Sequence, residues 1–221
     1  METEKAKPLT YYPAFINIQG KKCVVVGGGE VALRRVRMLI HCGGRVTVAS
    51  PVVHPELARF AKEGTIHLNQ REYGPQDIQG AAIVIAATDA KEINCEVARE
   101  ARKIGAFVNV VDDPEESDFI VPSHLKRGGL TIAISTAGMS PALARKIRTK
   151  LETDFGEEYA LLVSLVEEVR SFLKREGRSF SSEAWQNALD LNLLIDFLRR
   201  GQREKAKAFL QERLIQTHLK L

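Results

Sequence analysis

The first hundred residues alternate between short apolar runs and amphipathic stretches. The run at 21–26 is apolar and β-branched, which indicates a buried strand. Residues 30–40 then place Val31, Val36 and Leu39 on one face of a helix. The alternation continues with predicted strands at 45–50, 81–87 and 106–111 and predicted helices at 55–62 and 93–104. Strands and helices joined by short connections indicate βαβ units, so we expect a parallel sheet with helices on both faces.

The pattern changes after residue 112. Apolar stretches at 117–122 and 130–135 predict two more strands, and Ser140-Pro141 supplies the N-cap and first residue of a long helix. The sequence therefore predicts, in chain order, a Rossmann-type α/β domain at 1–112, a small α+β region at 113–150 and a helical C-terminal domain at 151–221. The central region is too small to stand alone, so we expect it to complete its core in a homodimer.

Composition narrows the class of protein. Of the 221 residues, 44% are hydrophobic and 27% are charged, which is typical of a globular protein. No apolar run approaches the roughly 20 residues of a membrane span, and the charged N-terminus is unlike a secretory signal. Three cysteines without a CxxC pair favour a reducing, cytoplasmic location. The histidines form no HxxxH or HExxH pattern, so the sequence assigns no metal ligands.

The net charge of +4 is unevenly distributed. The stretch from Phe119 to Leu151 contains six lysines and arginines and no acidic residue. It forms either a solvated basic face or a surface for a polyanion, such as nucleic acid or a small molecule with many carboxylates. Because aromatic residues are not interleaved with these charges, we do not expect nucleic acid as the partner.

A glycine turn carries the strongest chemical signal. Gly27-x-Gly29-x-x-Ala32 lies between a predicted strand and a predicted helix, as in dinucleotide-binding folds. Gly27 permits the tight turn, and Gly29 lets a pyrophosphate approach the backbone and the N–H groups that begin the helix. A tight turn without a ligand is the alternative. Ser50 stands where an acidic residue would hold the ribose, and no arginine follows closely, which favours NAD over NADP.

Two further strand ends carry polar side chains. Thr88 follows the strand at 81–87 and either contacts the nicotinamide half of a cofactor or caps the next helix. Asp112 follows the strand at 106–111, where a partly desolvated carboxylate would act as a base. Because Asp113-Pro114 comes next, a turn or helix cap is the alternative for this pair of aspartates.

A second turn rich in glycine and hydroxyl groups lies at 135–141. The N-terminus of the following helix would bind a carboxylate, and Arg145 and Arg148, which share a helical face, would clamp another. Ordinary capping and a solvated face are the alternatives. His124 is the only histidine near the predicted crevice, and a solvated loop position is its alternative.

Several motifs occur together in a fixed order: Pro13-Ala14-Phe15, Val25–Ala32, Ala86–Asp89 with Asn94, Asn109–Asp112 and Ser135–Pro141. With them the chain resembles the precorrin-2 dehydrogenase family, the N-terminal module of siroheme synthase, over essentially its whole length. The resemblance implies an NAD-binding domain, a central dimerisation region, and oxidation of precorrin-2, a polycarboxylate tetrapyrrole, to sirohydrochlorin. Some members also insert ferrous iron, so a bifunctional dehydrogenase and ferrochelatase is one alternative. A regulatory module that binds NAD without catalysis is another.

The resemblance also implies roles for individual residues. It places the essential aspartate at Asp112. The residues that we assign to the cofactor are Gly27, Gly28, Gly29, Glu30, Val31, Ser50, Pro51, Val52 and Thr88. Those that we assign to the substrate are Asn109, Ser123, His124, Ser135, Thr136, Ser140 and Arg145. Several relatives carry Ser-Gly where this chain has Thr136-Ala137, so the hydroxyl is kept in a turn of different shape.

Overall fold

The computed structural model describes residues 10–218. The strands are β1 (Lys22–Val26), β2 (Arg45–Ala49), β3 (His67–Asn69), β4 (Ile83–Ala86), β5 (Phe107–Val110), β6 (Ser123–Arg127) and β7 (Leu130–Ile134). The α-helices are α1 (Glu30–His41), α2 (Pro55–Lys62), α3 (Lys91–Lys103), α4 (Pro141–Asp154), α5 (Glu158–Arg175), α6 (Ser182–Ala188), α7 (Leu191–Arg199) and α8 (Arg203–His218). A short 3-10 helix spans Pro75–Ile78.

Five strands form one parallel sheet in the order β3-β2-β1-β4-β5. This confirms the predicted α/β fold, and it adds β3, which the sequence prediction omitted. β3 is a three-residue edge strand without a fully buried side chain, so it lacks the apolar run that marked its neighbours. Because the strands are parallel, the turns that follow β1, β2, β4 and β5 all open at the same edge of the sheet, its carboxyl edge.

Successive side chains of the central strands cover opposite faces of the sheet. Cys23 and Val25 pack in a cluster with residues of α1 and α2. Val24 and Val26 pack in a second cluster with residues of α3. The burial of both faces explains why β1 reads as a continuous apolar run rather than an alternating one.

The segment that follows β5 folds back along the sheet. The Asp118 backbone N–H donates to the Val108 carbonyl oxygen at 2.8 Å, and the Asp118 carboxylate accepts from the Val108 N–H at 3.0 Å. Phe119 packs against the cluster formed with α1 and α2. The predicted strand at 117–122 is therefore wrong, because this apolar stretch covers the sheet. The next strand, β6, begins at Ser123.

Contacts divide the chain into two compact units, one ending at Val121 and the other beginning at Pro122. In the second unit β6 and β7 form an antiparallel hairpin, and α5, α7 and α8 share an apolar core that contains Leu165 and Leu194. Ser140 caps α4 as predicted, since its Oγ accepts from the Leu143 N–H at 3.2 Å. The finer division of the chain at residues 112 and 150 stays a prediction.

A buried carboxylate fixes the connection after β3. The Asp77 side chain is 1% exposed and accepts from both terminal nitrogens of Arg71, at 2.6 and 2.9 Å. The Asn69 amide donates to it at 2.8 Å, and the Gly74 N–H at 2.9 Å. Burial by itself raises the pKa of Asp77, but these donors outweigh it and hold the pKa below its usual range.

We expect Asp77→Ala to lower the free energy of unfolding by about 2–4 kcal/mol at neutral pH, because it removes the buried acceptor of the hydrogen bonds from Arg71, Asn69 and Gly74. The lowered pKa makes the wild-type contribution fully present above the unfolded carboxyl pKa of about 4, and lost as the pH falls through the folded pKa. Denaturant unfolding of both proteins across this range checks the prediction. Equal stabilities at neutral pH would contradict it.

Across residues 10–218, no helix has both the length and the apolar character needed to cross a membrane.

Candidate active site

The turn between β1 and α1 is shaped by two close backbone approaches. Gly27 has a φ of +119°, and a Cβ at this position would lie 2.2 Å from the carbonyl oxygen of Ala87. A Cβ at Gly28 would lie 2.1 Å from the carbonyl oxygen of Val52. Both positions therefore require glycine. The turn is packed between the chain segments that leave β4 and β2.

Gly29 has the opposite surroundings. A Cβ there would meet no atom within 4 Å, so the backbone at this point faces open space. Gly29 is the N-cap of α1, and no side chain caps this helix end. The first N–H groups of α1 and the positive end of its dipole therefore face the opening. These features fit a bound pyrophosphate and hence a dinucleotide cofactor.

The loop after β2 closes one side of the glycine turn. The His54 N–H donates to the Gly28 carbonyl oxygen at 2.7 Å, and His54 Nε2 lies 3.0 Å from a carboxylate oxygen of Glu30. Ser50 is buried, and its hydroxyl donates to the Val52 carbonyl oxygen at 2.7 Å. The structure thus brings Glu30, Ser50 and Val52 together around the turn.

Pro51 and Val31 complete the set assigned to the cofactor in this region. Pro51 is exposed in the loop after β2, between Ser50 and Val52. Val31 is half-buried in the first turn of α1. Val31 is two residues from Gly29, Pro51 lies in the loop whose neighbours contact Gly28, and contact of either residue with a cofactor stays a prediction.

Thr88 is engaged with the start of α3. Its hydroxyl donates to Asn94 Oδ1 at 2.7 Å, and the Asn94 amide donates back to the Thr88 carbonyl oxygen at 2.9 Å. The Ala90 N–H donates to the Thr88 hydroxyl at 3.2 Å. Ala90 is the N-cap of α3, and no side chain caps this helix, so the helix cap weighed for Thr88 is not found. Contact with nicotinamide stays a prediction.

Asn109 is buried near the end of β5. Its amide nitrogen donates to the Phe119 carbonyl oxygen at 2.9 Å, which holds the segment after β5 against the sheet. Its Oδ1 is also buried and has no hydrogen-bond partner within the described residues. The structure gives Asn109 a structural contact, and its assignment to the substrate stays a prediction.

Asp112 and Asp113 have different surroundings although they are adjacent. The Asp113 carboxylate accepts from the Glu116 N–H at 3.2 Å and so stabilises a turn. Asp112 has a left-handed backbone with a φ of +61°, and within residues 10–218 its carboxylate makes no hydrogen bond. The residue is exposed, so the partial desolvation expected from the sequence is not found. Strained backbone of this kind is common at functional sites.

A cavity of about 230 Å³ lies beside the end of β5 and the start of α3. Asp89, Asn94 and Asp112 contribute polar groups to its wall, and Lys91 is the cation among its lining residues. No cluster of three or more histidine, cysteine or acidic side chains suited to a metal ion occurs in the described part of the chain.

The second glycine-containing turn uses its hydroxyl groups locally. The Ala137 N–H donates to Ser135 Oγ and the Ser140 N–H donates to Thr136 Oγ1, both at 3.0 Å. Ala137 has a φ of +51°, a conformation that glycine adopts more readily. The capping weighed as an alternative for this turn is therefore present, and contacts of Ser135, Thr136 and Ser140 with a substrate stay predictions.

The remaining residues assigned to the substrate lie on β6 and α4. Ser123 and His124 are half-buried, and His124 Nδ1 lies 3.4 Å from the Pro122 carbonyl oxygen. His124 belongs to β6, so the solvated loop considered for it is wrong. Arg145 is exposed on α4, whereas Arg148 forms an ion pair with Glu152. Of the two arginines in the predicted carboxylate clamp, Arg145 is therefore exposed, whereas Arg148 already has an acidic partner within the protein.

Comparison with known proteins agrees with this arrangement. An NAD(P)-binding family model matches residues 14–123, and the model of the central region of sirohaem biosynthesis proteins matches residues 127–153. The chain is thus similar to the precorrin-2 dehydrogenase and siroheme-synthase N-terminal module family. A solved structure described as SirC, precorrin-2 dehydrogenase, has a TM-score of 0.70 at 25% identity and covers 92% of this chain and 98% of its own. The family's dinucleotide-binding region therefore coincides with the first unit.

Curated relatives extend beyond the region that matches. Siroheme synthase 1 from Aeromonas salmonicida is 38% identical over 200 residues, which cover 90% of this chain and 43% of the relative. Siroheme synthase from Methylobacillus flagellatus is 39% identical over 206 residues, again with 90% and 43% coverage. The chain thus spans less than half the length of these relatives.

Two features of the site were missed in the sequence. Asn94 was noted only as part of a motif, although it binds Thr88 through three hydrogen bonds. Arg35 lies on α1 with its Nε buried and unpartnered among the described residues. An arginine in the inward half of an amphipathic helix was the available signal for Arg35, since such positions are usually apolar.

Proposed function

We propose that the protein oxidises precorrin-2 to sirohydrochlorin with NAD, a step of siroheme biosynthesis. The observation that carries this proposal is the position of two groups at one edge of the sheet. The open backbone at Gly29 follows β1, and the exposed carboxylate of Asp112 follows β5, with β4 between these strands. Ligands of open α/β sheets bind at this edge. The similarity to a precorrin-2 dehydrogenase supports the choice of substrate.

The residues around the glycine turn would hold the cofactor. When bound, NAD supplies the acceptor for a hydride. The N–H groups at the start of α1 bind its pyrophosphate at Gly29, and the loop that contains Ser50 lies beside the ribose. Arg71, which follows β3, is bound to Asp77, so it does not offer a site for the additional phosphate of NADP. This supports the preference for NAD.

Asp112 would act as the base that accepts the proton lost by the substrate. Oxidation of precorrin-2 removes a hydride and a proton from the substrate, and a carboxylate oxygen of Asp112 accepts that proton directly or through a water molecule. The Asp112 carboxylate is exposed and makes no hydrogen bond within residues 10–218, so it is available for this role. Its neighbour Asp113 stabilises the turn instead. The left-handed backbone at Asp112 turns the chain sharply after β5.

The carboxylates of the tetrapyrrole require cations and hydrogen-bond donors. Within the second unit, Arg145, Lys146 and Lys150 are exposed on α4 and carry positive charge. Arg127 is not available, because it bonds to the Phe155 carbonyl oxygen at 2.9 Å and pairs with Glu157 at 3.3 Å. The polar residues that we assign to the substrate are Asn109, Ser123, His124, Ser135, Thr136 and Ser140.

The exposed surface of α4 supports the proposed homodimer. Ala144 is the one buried residue of this 14-residue helix. Met139, Leu143 and Ile147 recur at intervals of four residues, and they are 78%, 51% and 36% exposed. Leu143 and Ile147 share a face of α4, and Met139 lies two residues before the helix, so these residues present an exposed apolar surface. A second copy of the chain would cover it.

We expect Ile147→Asp to weaken the homodimer by about 100-fold or more, because it places a charge in an apolar contact. Thr149→Asp is the matched control, since it adds the same charge on the opposite side of α4. Sedimentation velocity across a range of concentrations measures both variants. A wild-type protein that stays monomeric, or equal association of the two variants, would contradict the proposed interface.

Anaerobic absorbance spectroscopy tests the proposed function. Wild-type protein with precorrin-2 and NAD should form NADH and sirohydrochlorin in equal amounts. A regulatory module would bind NAD and form no NADH, which would refute the proposal. Addition of Fe²⁺ to sirohydrochlorin, with and without the protein, then measures whether this chain also accelerates iron insertion.

A further inference from the structure

Arg35 is a half-buried arginine without a bonded partner. Its Nε is buried with no acceptor, and its guanidinium takes part in no hydrogen bond or ion pair within residues 10–218. Arginine carries five N–H donors and a permanent charge, and burying such a group unpaired is unfavourable. Most partly buried arginines in proteins therefore bind a carboxylate or a phosphate. The surroundings of Arg35 are suited to an anion that comes from outside the chain.

The position of Arg35 on α1 directs it toward the candidate active site. Arg37 marks the flank of the helix that faces α2, because it pairs with Glu56 there. Two residues on a helix are about 200° apart, so Arg35 lies on the other flank, toward β4 and β5. Helical side chains lean toward the N-terminus of their helix, which for α1 is the glycine turn. Arg35 therefore reaches toward the carboxyl edge of the sheet.

The charged groups that influence the pKa of Arg35 are consistent with this position near the carboxyl edge of the sheet. Burial lowers the pKa of Arg35, the charge of Arg34 lowers it further, and the carboxylate of Asp112 opposes both effects. Asp112 is thus close enough to act on the guanidinium, although the two side chains form no ion pair. Asp112 therefore does not serve as the bonded partner of Arg35.

We propose that Arg35 binds a carboxylate of the tetrapyrrole substrate beside Asp112. This assignment rests on the proposed function, because the bound anion belongs to precorrin-2. One anchored carboxylate restricts how the macrocycle lies against the sheet edge and therefore which of its carbons faces the base. A phosphate of the dinucleotide is the other anion that the guanidinium would suit, and the experiment distinguishes the two.

Three variants test the proposal: Arg35→Gln, Arg35→Lys and the control Arg34→Gln. Arg34 is the exposed neighbour on the same helix, so its variant removes an equal charge. We expect Arg35→Gln to raise the KM and the anaerobic Kd for precorrin-2 by about 10–100-fold, the typical effect of losing a charged hydrogen bond. Arg35→Lys should recover part of this loss, and Arg34→Gln should stay within about twofold of wild type. The Kd for NAD should be unchanged in all three.

Thermal unfolding shows that each variant is folded, and removal of an unpaired cation should not lower the Tm of Arg35→Gln. Weaker NAD binding in Arg35→Gln would overturn the proposal in favour of a phosphate contact. If Arg35→Gln binds precorrin-2 as tightly as Arg34→Gln does, the role of Arg35 is also overturned. In that case oxidation of precorrin-2 by the wild-type protein would leave the proposed function intact. If the wild-type protein neither binds nor oxidises precorrin-2, the proposed function and the role of Arg35 both fail.

Discussion

We expect the Asp112→Asn variant to oxidise precorrin-2 about 10²–10⁴-fold more slowly than the wild-type protein, because asparagine cannot accept the proton that the substrate loses. Asparagine adopts the left-handed backbone of this position almost as readily as aspartate, so the fold should be kept. Steady-state formation of NADH measures the rate, and the Kd for NAD and the Tm should match those of wild type.

Asp113→Asn is the matched control for this prediction. It removes the same charge one residue away, and its side-chain oxygen can still accept from the Glu116 N–H. We expect its rate to stay within a few-fold of wild type. Full activity in Asp112→Asn would remove Asp112 from the mechanism, and a large loss in Asp113→Asn alone would assign the proton to the other carboxylate.

The second large effect is expected at Gly27. The Cβ of a Gly27→Ala variant would overlap the carbonyl oxygen of Ala87, and the φ of +119° is unfavourable for alanine. The turn and the end of β4 must then move apart, at a cost of about 2–5 kcal/mol in the free energy of unfolding. Denaturant unfolding measures this loss. A stability equal to that of wild type would show that the turn is not held as tightly as the structure indicates.

Gly29→Ala separates cofactor binding from folding. The added methyl group enters open space, and the extended backbone of Gly29 is allowed for alanine, so the free energy of unfolding should change by less than about 0.5 kcal/mol. The same methyl group would stand where the pyrophosphate approaches the backbone. A loss of NAD affinity of about tenfold or more, measured by calorimetry, is therefore expected. Unchanged affinity would place the cofactor elsewhere.

The sequence predicted the α/β core well because its signals are local. The apolar run of β1, the glycine turn and the amphipathic α1 lie next to one another in the chain, and each has its own periodicity. β3 was missed because a three-residue edge strand carries no such pattern. The stretch at 117–122 was mistaken for a strand because its apolar residues cover the sheet, a tertiary contact that periodicity does not distinguish from a ladder.

The candidate site was predicted in outline, and its details depend on backbone geometry. The sequence placed Gly29 and Asp112 at the ends of strands, which is sufficient to bring them to one edge of the sheet. It could not show that Asp113 forms the turn while Asp112 faces outward, since this depends on a single left-handed residue. The helical position of Arg35 was a signal in the sequence, but its lack of a bonded partner within residues 10–218 follows only from the packing.

A crystal structure of the protein with bound NAD would show whether the cofactor binds at the glycine turn with its nicotinamide ring beside Asp112. We expect a pyrophosphate within hydrogen-bond distance of the N–H groups that begin α1, over Gly29, and a nicotinamide ring at the ends of β4 and β5 beside Asp112. A cofactor bound away from the glycine turn, or a nicotinamide remote from Asp112, would contradict this expectation.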